Sequence, residues 1–102
     1  MPTPIRFEPE AERELEEAAA TYEERRLRLG KRFLEAVTVT LDRVQEFPLA
    51  GAPVRHVPTD LGVRQAPIRG FPYRVVYLHT DTTIHVLAIA HYRRRPGYWR
   101  DR

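Results

Sequence analysis

The sequence predicts an α+β fold in which a short N-terminal strand and an α-helical hairpin pack on one face of an antiparallel sheet. Two patterns lead to this fold class. Apolar residues recur with helical spacing over residues 10–28 and 31–46. Three strand-like runs then follow at residues 63–69, 73–80 and 84–91. The chain has 102 residues, which is the size of one domain, so we expect a single domain over residues 1–102.

The first predicted elements are a short strand and a helix. Residues 5–7 alternate in polarity between two prolines, which is typical of a brief strand at a sheet edge. Pro9 suits the first turn of a helix because proline lacks the N–H that this turn leaves unpaired. The helix has an apolar stripe made of Ala11, Leu15, Ala18, Ala19 and Tyr22. We expect Gly30 to end it.

The second predicted helix, over residues 31–46, follows after only a few residues, so the two helices should form an antiparallel hairpin. Its apolar face consists of Phe33, Leu34, Val37, Leu41 and Val44. Pro48 marks its end, since proline restricts the residue before it. Residues 48–62 contain three prolines and two glycines, and this composition predicts a loop.

The three predicted strands are joined by short connections at residues 70–72 and 81–83, which implies antiparallel neighbours. The last strand is apolar on both faces, which predicts a central strand covered on one side and at least partly on the other. Strict alternation assigns Ile84, Val86, Ala88 and Ala90 to one face. The same alternation assigns Leu87 and Ile89 to the other face.

Composition excludes several classes of protein. The chain has no cysteine, which excludes disulfides, thiol catalysis and cysteine-based zinc sites. No apolar run approaches the roughly 18 residues that cross a bilayer, and residues 1–6 lack the apolar centre of a signal peptide. We therefore expect a cytoplasmic protein without a membrane partner. His56, His79 and His85 have no metal-ligand spacing, so we expect no metal and no cofactor.

Charge is distributed unevenly along the chain, whose formal net charge is +3. Residues 1–54 hold eight basic and eleven acidic side chains, a net charge of −3. Residues 55–102 hold nine arginines and three aspartates, a net charge of +6. Arginine binds phosphate and carboxylate through a planar fork of N–H donors. The asymmetry predicts a basic functional surface and an anionic partner.

The ordered set of elements resembles the RelE/ParE family of bacterial toxins from type II toxin–antitoxin modules. The similarity is strongest at residues 71–77 (FPYRVVY) and residues 87–99 (LAIAHYRRRPGYW). Residues 30–37 (GKRFLEAV), followed by Phe47 and Pro48, also fit the second helix of the family. The resemblance covers nearly the whole chain and implies the family's toxin fold.

The resemblance implies two modes of growth inhibition. ParE-like toxins inhibit DNA gyrase and are not nucleases, whereas RelE-like toxins cut messenger RNA on the ribosome. The FPY strand opening and the arginine-rich PGYW ending look more ParE-like. The first hypothesis is therefore a ParE-like inhibitor of gyrase or a related target, neutralised by a cognate antitoxin. A RelE-like endoribonuclease and an inactive relative that only binds an antitoxin-like partner are the alternatives. Both a homo-oligomer and a toxin–antitoxin hetero-oligomer remain open.

Candidate functional residues lie in the strands and in the tail that follows them. As target- or phosphate-binding residues we single out Arg64, Arg69, Arg74, Arg93, Arg94, Arg95 and Tyr98. If the chain is a nuclease, the candidate catalytic residues are Arg74, His91, Arg93 and Tyr98. In RelE-like nucleases an arginine at the place of Arg74 contacts the phosphate at the cut, so the resemblance implies a phosphate clamp opposite the helices.

Each candidate also has a purely structural explanation. Arg74 fits equally an ion pair with a carboxylate or an exposed strand position. His91 fits a half-buried histidine bonded to backbone, Trp99 an anchor that folds back on the core, and the glutamates of the first helix a solvated face. RelE-like nucleases often carry a lysine or glutamate base on the first strand of the meander or the loop beside it. Between residues 47 and 80 this chain has neither, and Asp60 is the only carboxylate, which lowers the weight of the nuclease hypothesis.

Overall fold

The computed structural model describes residues 3–102. Met1 and Pro2, with which the predicted domain begins, lie outside the described part. The helices are α1 (Pro9–Arg25) and α2 (Leu29–Glu46). The strands are β1 (Ile5–Phe7), β2 (Ala52–Pro53), β3 (Val63–Pro67), β4 (Tyr73–His79) and β5 (Ile84–His91). Two 3₁₀ turns complete the chain, at Thr59–Leu61 and Tyr98–Asp101. The predicted α+β class is confirmed, with two helices on a five-stranded sheet.

The sheet has the strand order β1-β5-β4-β3-β2. Strands β3, β4 and β5 form the predicted antiparallel meander. The sheet as a whole is mixed, because β1 pairs in parallel with β5, with Ile5 opposite Ile84. The chain crosses one face of the sheet through both helices between β1 and the meander, and a long crossover of this kind permits a parallel pair.

The region predicted as a loop contains β2, whose Ala52 and Pro53 pair with Gln65 and Arg64. An edge strand tolerates proline because the N–H groups on its outer side make no hydrogen bonds within the sheet. Strand β3 ends two residues before the predicted boundary. There Ile68 N–H donates to Tyr73 O over 2.9 Å and turns the chain toward β4.

The turn of the helical hairpin differs from its prediction. Arg28, with φ of 71°, reverses the chain, and Gly30 is buried in the first turn of α2 rather than ending α1. A Cβ atom at residue 30 would lie 2.5 Å from the carbonyl oxygen of Ala19. Glycine therefore stands at residue 30 because the two helices approach each other closely there.

The sheet is covered on both faces. The helix-side core contains Phe33 and Val37 from α2, together with strand residues such as Val75 and Tyr77. A smaller back-face cluster lies on the opposite side and is formed by Val54, Val57, Val63, Val76, Ala88 and Ala90. Partly buried Leu87, Tyr98 and Trp99 pack against it, which confirms the anchoring role expected for Trp99.

A register shift between β4 and β5 corrects the predicted faces of β5. Val76 pairs with Ala88, but the next residue, Tyr77, pairs with Val86, so Leu87 is an extra residue. A bulge of this kind breaks strict alternation. Ile84, Val86 and Ile89 consequently join the helix-side core, whereas Ala88 and Ala90 join the back-face cluster.

Candidate functional site

Arg74 of β4 lies on the back face of the sheet and pairs with Ala90 of β5, a member of the back-face cluster. Its guanidinium donates to Oε1 of Gln65 over 3.1 Å and stacks on the ring of Tyr92, 4.4 Å from the ring centroid. Within residues 3–102 it has no carboxylate partner, because the one ion pair there joins Arg102 and Glu14. The half-buried guanidinium is thus held by neutral groups, and its positive charge is not neutralised.

His91, at the end of β5, lies on the other side of the sheet. It pairs with Tyr73, and the two rings meet edge to face with centroids 4.9 Å apart. Its Nδ1 accepts the backbone N–H of Arg93 over 3.0 Å, which places the proton of the neutral ring on Nε2. This arrangement is that of a half-buried histidine bonded to backbone, which is the structural alternative to a catalytic histidine.

The arginine run follows β5 in an exposed turn formed by Arg93, Arg94 and Arg95. The guanidinium of Arg94 stacks on the ring of Tyr98 at 4.0 Å from its centroid. Arg93 is attached to the imidazole of His91 through its backbone only, so its side chain extends into solvent. These three arginines, together with Arg74 beside Tyr92, place cations at the end of the sheet where β4 begins and β5 ends.

Glu14 organises this end of the molecule, in contrast to the solvated face expected for the glutamates of α1. Only 18% of its side chain is exposed. Its carboxylate accepts the backbone N–H of Ile89 at 3.1 Å, the guanidinium of Arg102 at 2.8 Å and the hydroxyl of Tyr98. Arg102 also donates to Leu87 O at 2.9 Å. Strand β1 pairs only with residues 84–86 of β5. The bonds from Glu14 and Arg102 supply partners for the Ile89 N–H and the Leu87 carbonyl oxygen, which lie beyond that pairing.

The hydroxyl and the ring of Tyr98 are consequently both engaged by neighbouring side chains in this conformation. Burial raises the pKa of its phenol, and the adjacent Glu14 carboxylate raises that pKa further because it disfavours a second negative charge. Arg94 and Arg102 both stack on its ring. The hydroxyl is a bound donor, and the ring faces are occupied by arginines rather than open to a nucleotide base.

Arg64 and Arg69 do not join the other candidates. Arg64 donates to the carbonyl oxygen of Gly51 over 2.9 Å and holds the loop before β2. The buried hydroxyl of Tyr77 assists there, since it donates to Pro48 O over 2.8 Å and accepts the Gly51 N–H over 3.1 Å. The hydrogen bond to Gly51 O gives Arg64 a structural role that its position in the sequence did not indicate.

Arg69 instead borders an open apolar groove of about 590 Å³ between α2 and the loop and strands β2–β3. Its floor and walls include Val39, Phe47 and Pro67, and Arg43 is its second cation. Val39 and Phe47 are 59% and 58% exposed, so residues 3–102 leave the apolar surface of the groove uncovered. Charge at its border favours an acidic occupant.

The described part of the chain offers no metal or membrane feature. Residues 3–102 contain no group of three or more His, Asp and Glu side chains placed to hold a metal ion. None of the helices formed by these residues has the length and apolar character needed to cross a membrane.

Comparison with known proteins relates most of this chain to a family. The profile of the family described as ParE toxin of type II toxin–antitoxin system, parDE, matches residues 5–96. A search among curated proteins found no match.

Solved structures with the same fold include both ParE and RelE proteins. One is the chromosomal ParDE toxin–antitoxin system from P. aeruginosa, with 22% identity, coverage of 87% of this chain and 95% of that chain, and a TM-score of 0.62. A mutant of E. coli toxin RelE in the free state has 22% identity, 91% and 86% coverage, and a TM-score of 0.66. The toxin–antitoxin complex RelBE2 from Mycobacterium tuberculosis has 29% identity, 89% and 99% coverage, and a TM-score of 0.63.

Proposed function

This chain belongs to the ParE toxin family of type II toxin–antitoxin systems, and from that premise we propose that it arrests bacterial growth by binding DNA gyrase or a related target. A cognate antitoxin holds it inactive. The toxin acts as a binding protein rather than an enzyme. Its target surface is the basic end of the sheet formed by Arg74, Arg93, Arg94 and Arg95.

One observation carries the preference for a binder. A nuclease needs its phosphate clamp and its acid and base around a single phosphodiester. Here Arg74 and His91 lie on opposite faces of the sheet, and the hydroxyl of Tyr98 is bound by Glu14. His91 and Tyr98 line one pocket, but the phosphate clamp Arg74 lies on the opposite face and the Tyr98 hydroxyl is already bound. Exposed cations at one end suit an acidic protein surface instead.

The proposal of an antitoxin partner rests on the apolar groove beside α2. Its exposed Val39 and Phe47 favour an apolar helix face or strand, and its cations Arg43 and Arg69 favour acidic side chains beside that face. An amphipathic acidic segment of the antitoxin is the occupant we propose. The solved relatives support it, since two of them are toxin–antitoxin assemblies.

A RelE-like endoribonuclease is the second candidate, and Arg74 is the observation in its favour. The guanidinium is held in place by Gln65 and Tyr92, and no carboxylate of residues 3–102 pairs with it. A side chain so placed is free to bind one phosphate oxygen on the sheet face opposite the helices.

Substitution of Arg74 by alanine separates the two functions. As a binder, the Arg74→Ala variant should arrest growth within about fivefold of the unsubstituted chain, because one partly exposed charge contributes roughly 0.2–1 kcal/mol. As a nuclease, it should lose message cleavage by about 100-fold or more, because a clamp acts on charge in the transition state. Growth after induction and primer extension on cellular messages measure the two effects.

Gln65→Ala is the matched control, since it removes the partner of Arg74 and keeps the charge. Loss of growth arrest in the Arg74 variant, accompanied by loss of cleavage products seen with the unsubstituted chain, would contradict the proposal.

A further inference from the structure

The turn between α1 and α2 concentrates positive charge. We define the hairpin tip as residues 25–32; its basic residues are Arg25, Arg26, Arg28, Lys31 and Arg32, and all five are exposed. Over residues 23–32 there are these five cations and two glutamates, a net charge of +3. The ion pair of residues 3–102 lies elsewhere, between Arg102 and Glu14, so the tip cations have no ion-paired partner in the described chain.

An apolar side chain, that of Leu27, lies among the basic residues of the hairpin tip. Leu27 is 79% exposed, the highest value among the large apolar side chains of residues 3–102. A single exposed leucine is ordinary on a protein surface. A leucine surrounded by arginines, at a turn where a polar residue would be well solvated, has instead the composition of a protein-binding patch.

The tip is also held in a strained shape. Arg28 has φ of 71°, a left-handed conformation that glycine adopts more readily than arginine. Both carboxylate oxygens of Glu23 hold this turn, accepting the Arg28 N–H at 2.9 Å and the Gly30 N–H at 3.1 Å. The nearest glutamate therefore fixes the backbone, and the guanidinium of Arg28 remains available to a partner. Strain retained at a rigid, exposed turn favours a functional reason for the arginine.

Aromatic contacts connect the tip to the basic end of the sheet. Tyr22, in the last turns of α1, lies 5.1 Å from Phe71 and 6.2 Å from Tyr73, measured between ring centroids. Tyr73 in turn contacts His91 at 4.9 Å, beside the start of the arginine run. The hairpin tip and Arg93–Arg95 therefore belong to the same end of the molecule.

We infer that the hairpin tip is a second part of the target-binding surface, with Leu27 entering an apolar pocket of an acidic protein partner and the tip arginines pairing with carboxylates around it. This inference rests on the proposed function, since it extends the surface assigned to the arginine run. A protein is favoured over a nucleic acid because an aliphatic side chain gains by entering an apolar pocket. Single-stranded nucleic acid would be bound through cations and stacked aromatic rings instead.

The test compares Leu27→Ser with Leu61→Ser, a control that removes another exposed leucine, 46% exposed, from a different surface. Growth arrest after induction is measured together with binding of the purified chains to purified DNA gyrase. Leu27→Ser should weaken both by at least about tenfold with an unchanged unfolding midpoint, whereas Leu61→Ser should leave both unchanged.

A second variant, Arg28→Gly, guards against an effect of misfolding. Relief of the left-handed arginine should raise the unfolding midpoint by roughly 2–4 °C while growth arrest weakens, a combination that a purely structural role of Arg28 would not produce. Full growth arrest by both Leu27→Ser and Arg28→Gly would overturn the inference. Loss of growth arrest in Arg28→Gly alone, together with binding of an oligonucleotide that depends on the tip, would contradict the inference that the partner is a protein.

The gyrase-binding measurements distinguish an error in the proposed target from an error in the inference about the hairpin tip. If the chain arrests growth without binding gyrase, the proposed target is wrong, and the loss of arrest in Leu27→Ser still supports the tip. If the chain binds gyrase and Leu27→Ser binds equally well, the target stands and the tip inference is wrong.

Discussion

Neutralising Arg93, Arg94 and Arg95 together as glutamines should weaken target binding by roughly 10- to 100-fold and relieve growth arrest. The three side chains are exposed, and each charge facing an acidic surface contributes about 0.5–1 kcal/mol, with 1.4 kcal/mol for each factor of ten. Arg94→Gln also removes the cation that stacks on Tyr98 at 4.0 Å. Binding by the unsubstituted chain should weaken steeply with salt, and binding by the variant should do so less.

A triple variant with the same loss of charge elsewhere is the control for this result. Arg6, Arg13 and Arg55 are exposed and belong to β1, α1 and the loop after β2 rather than to the turn after β5, so their replacement by glutamine should leave binding within about twofold. Equal weakening in both triple variants would show that net charge, rather than this surface, drives association, and would contradict the assigned site.

Gly30→Ala should lower the free energy of unfolding by about 1–2 kcal/mol. The new Cβ would lie 2.5 Å from the carbonyl oxygen of Ala19, so α1 and α2 must separate. Overpacking of this kind costs about 1–3 kcal/mol and outweighs the gain of up to about 1 kcal/mol from the better helix propensity of alanine. Urea unfolding followed by circular dichroism measures the change.

Lys31→Ala is the matched control for the hairpin, because Lys31 is the next residue of α2 and points into solvent. It should change the free energy of unfolding by less than about 0.5 kcal/mol. An unaltered stability of Gly30→Ala would mean that the helices do not approach each other as closely as described.

Sequence periodicity predicted the helices and the meander because their apolar patterns extend over many residues. It was wrong about the faces of β5, since one extra residue at Leu87 shifts the alternation and no local signal marks it. It placed the end of α1 at Gly30, whereas the close contact with Ala19 O requires that glycine. The parallel pairing of β1 with β5 depends on contacts far apart along the chain.

The candidate site was only partly predictable for the same reason. The arginine run was identified from the sequence, and it is exposed at the end of β5. Glu14 was assigned to a solvated face because four glutamates surround it in α1, although it lies beside the apolar stripe at Leu15. Its bonds to Ile89, Tyr98 and Arg102 join residues 75 to 88 positions away, and local patterns do not report such contacts.

The central claim is that this toxin binds its target without cutting RNA, and one measurement with the purified, unsubstituted chain tests it most directly. The chain is added in parallel to a DNA gyrase supercoiling reaction and to ribosomes translating a defined message. We expect loss of supercoiling, intact message, and recovery of supercoiling when the cognate antitoxin is added. Specific cleavage of the ribosome-bound message, with supercoiling unaffected, would contradict the account.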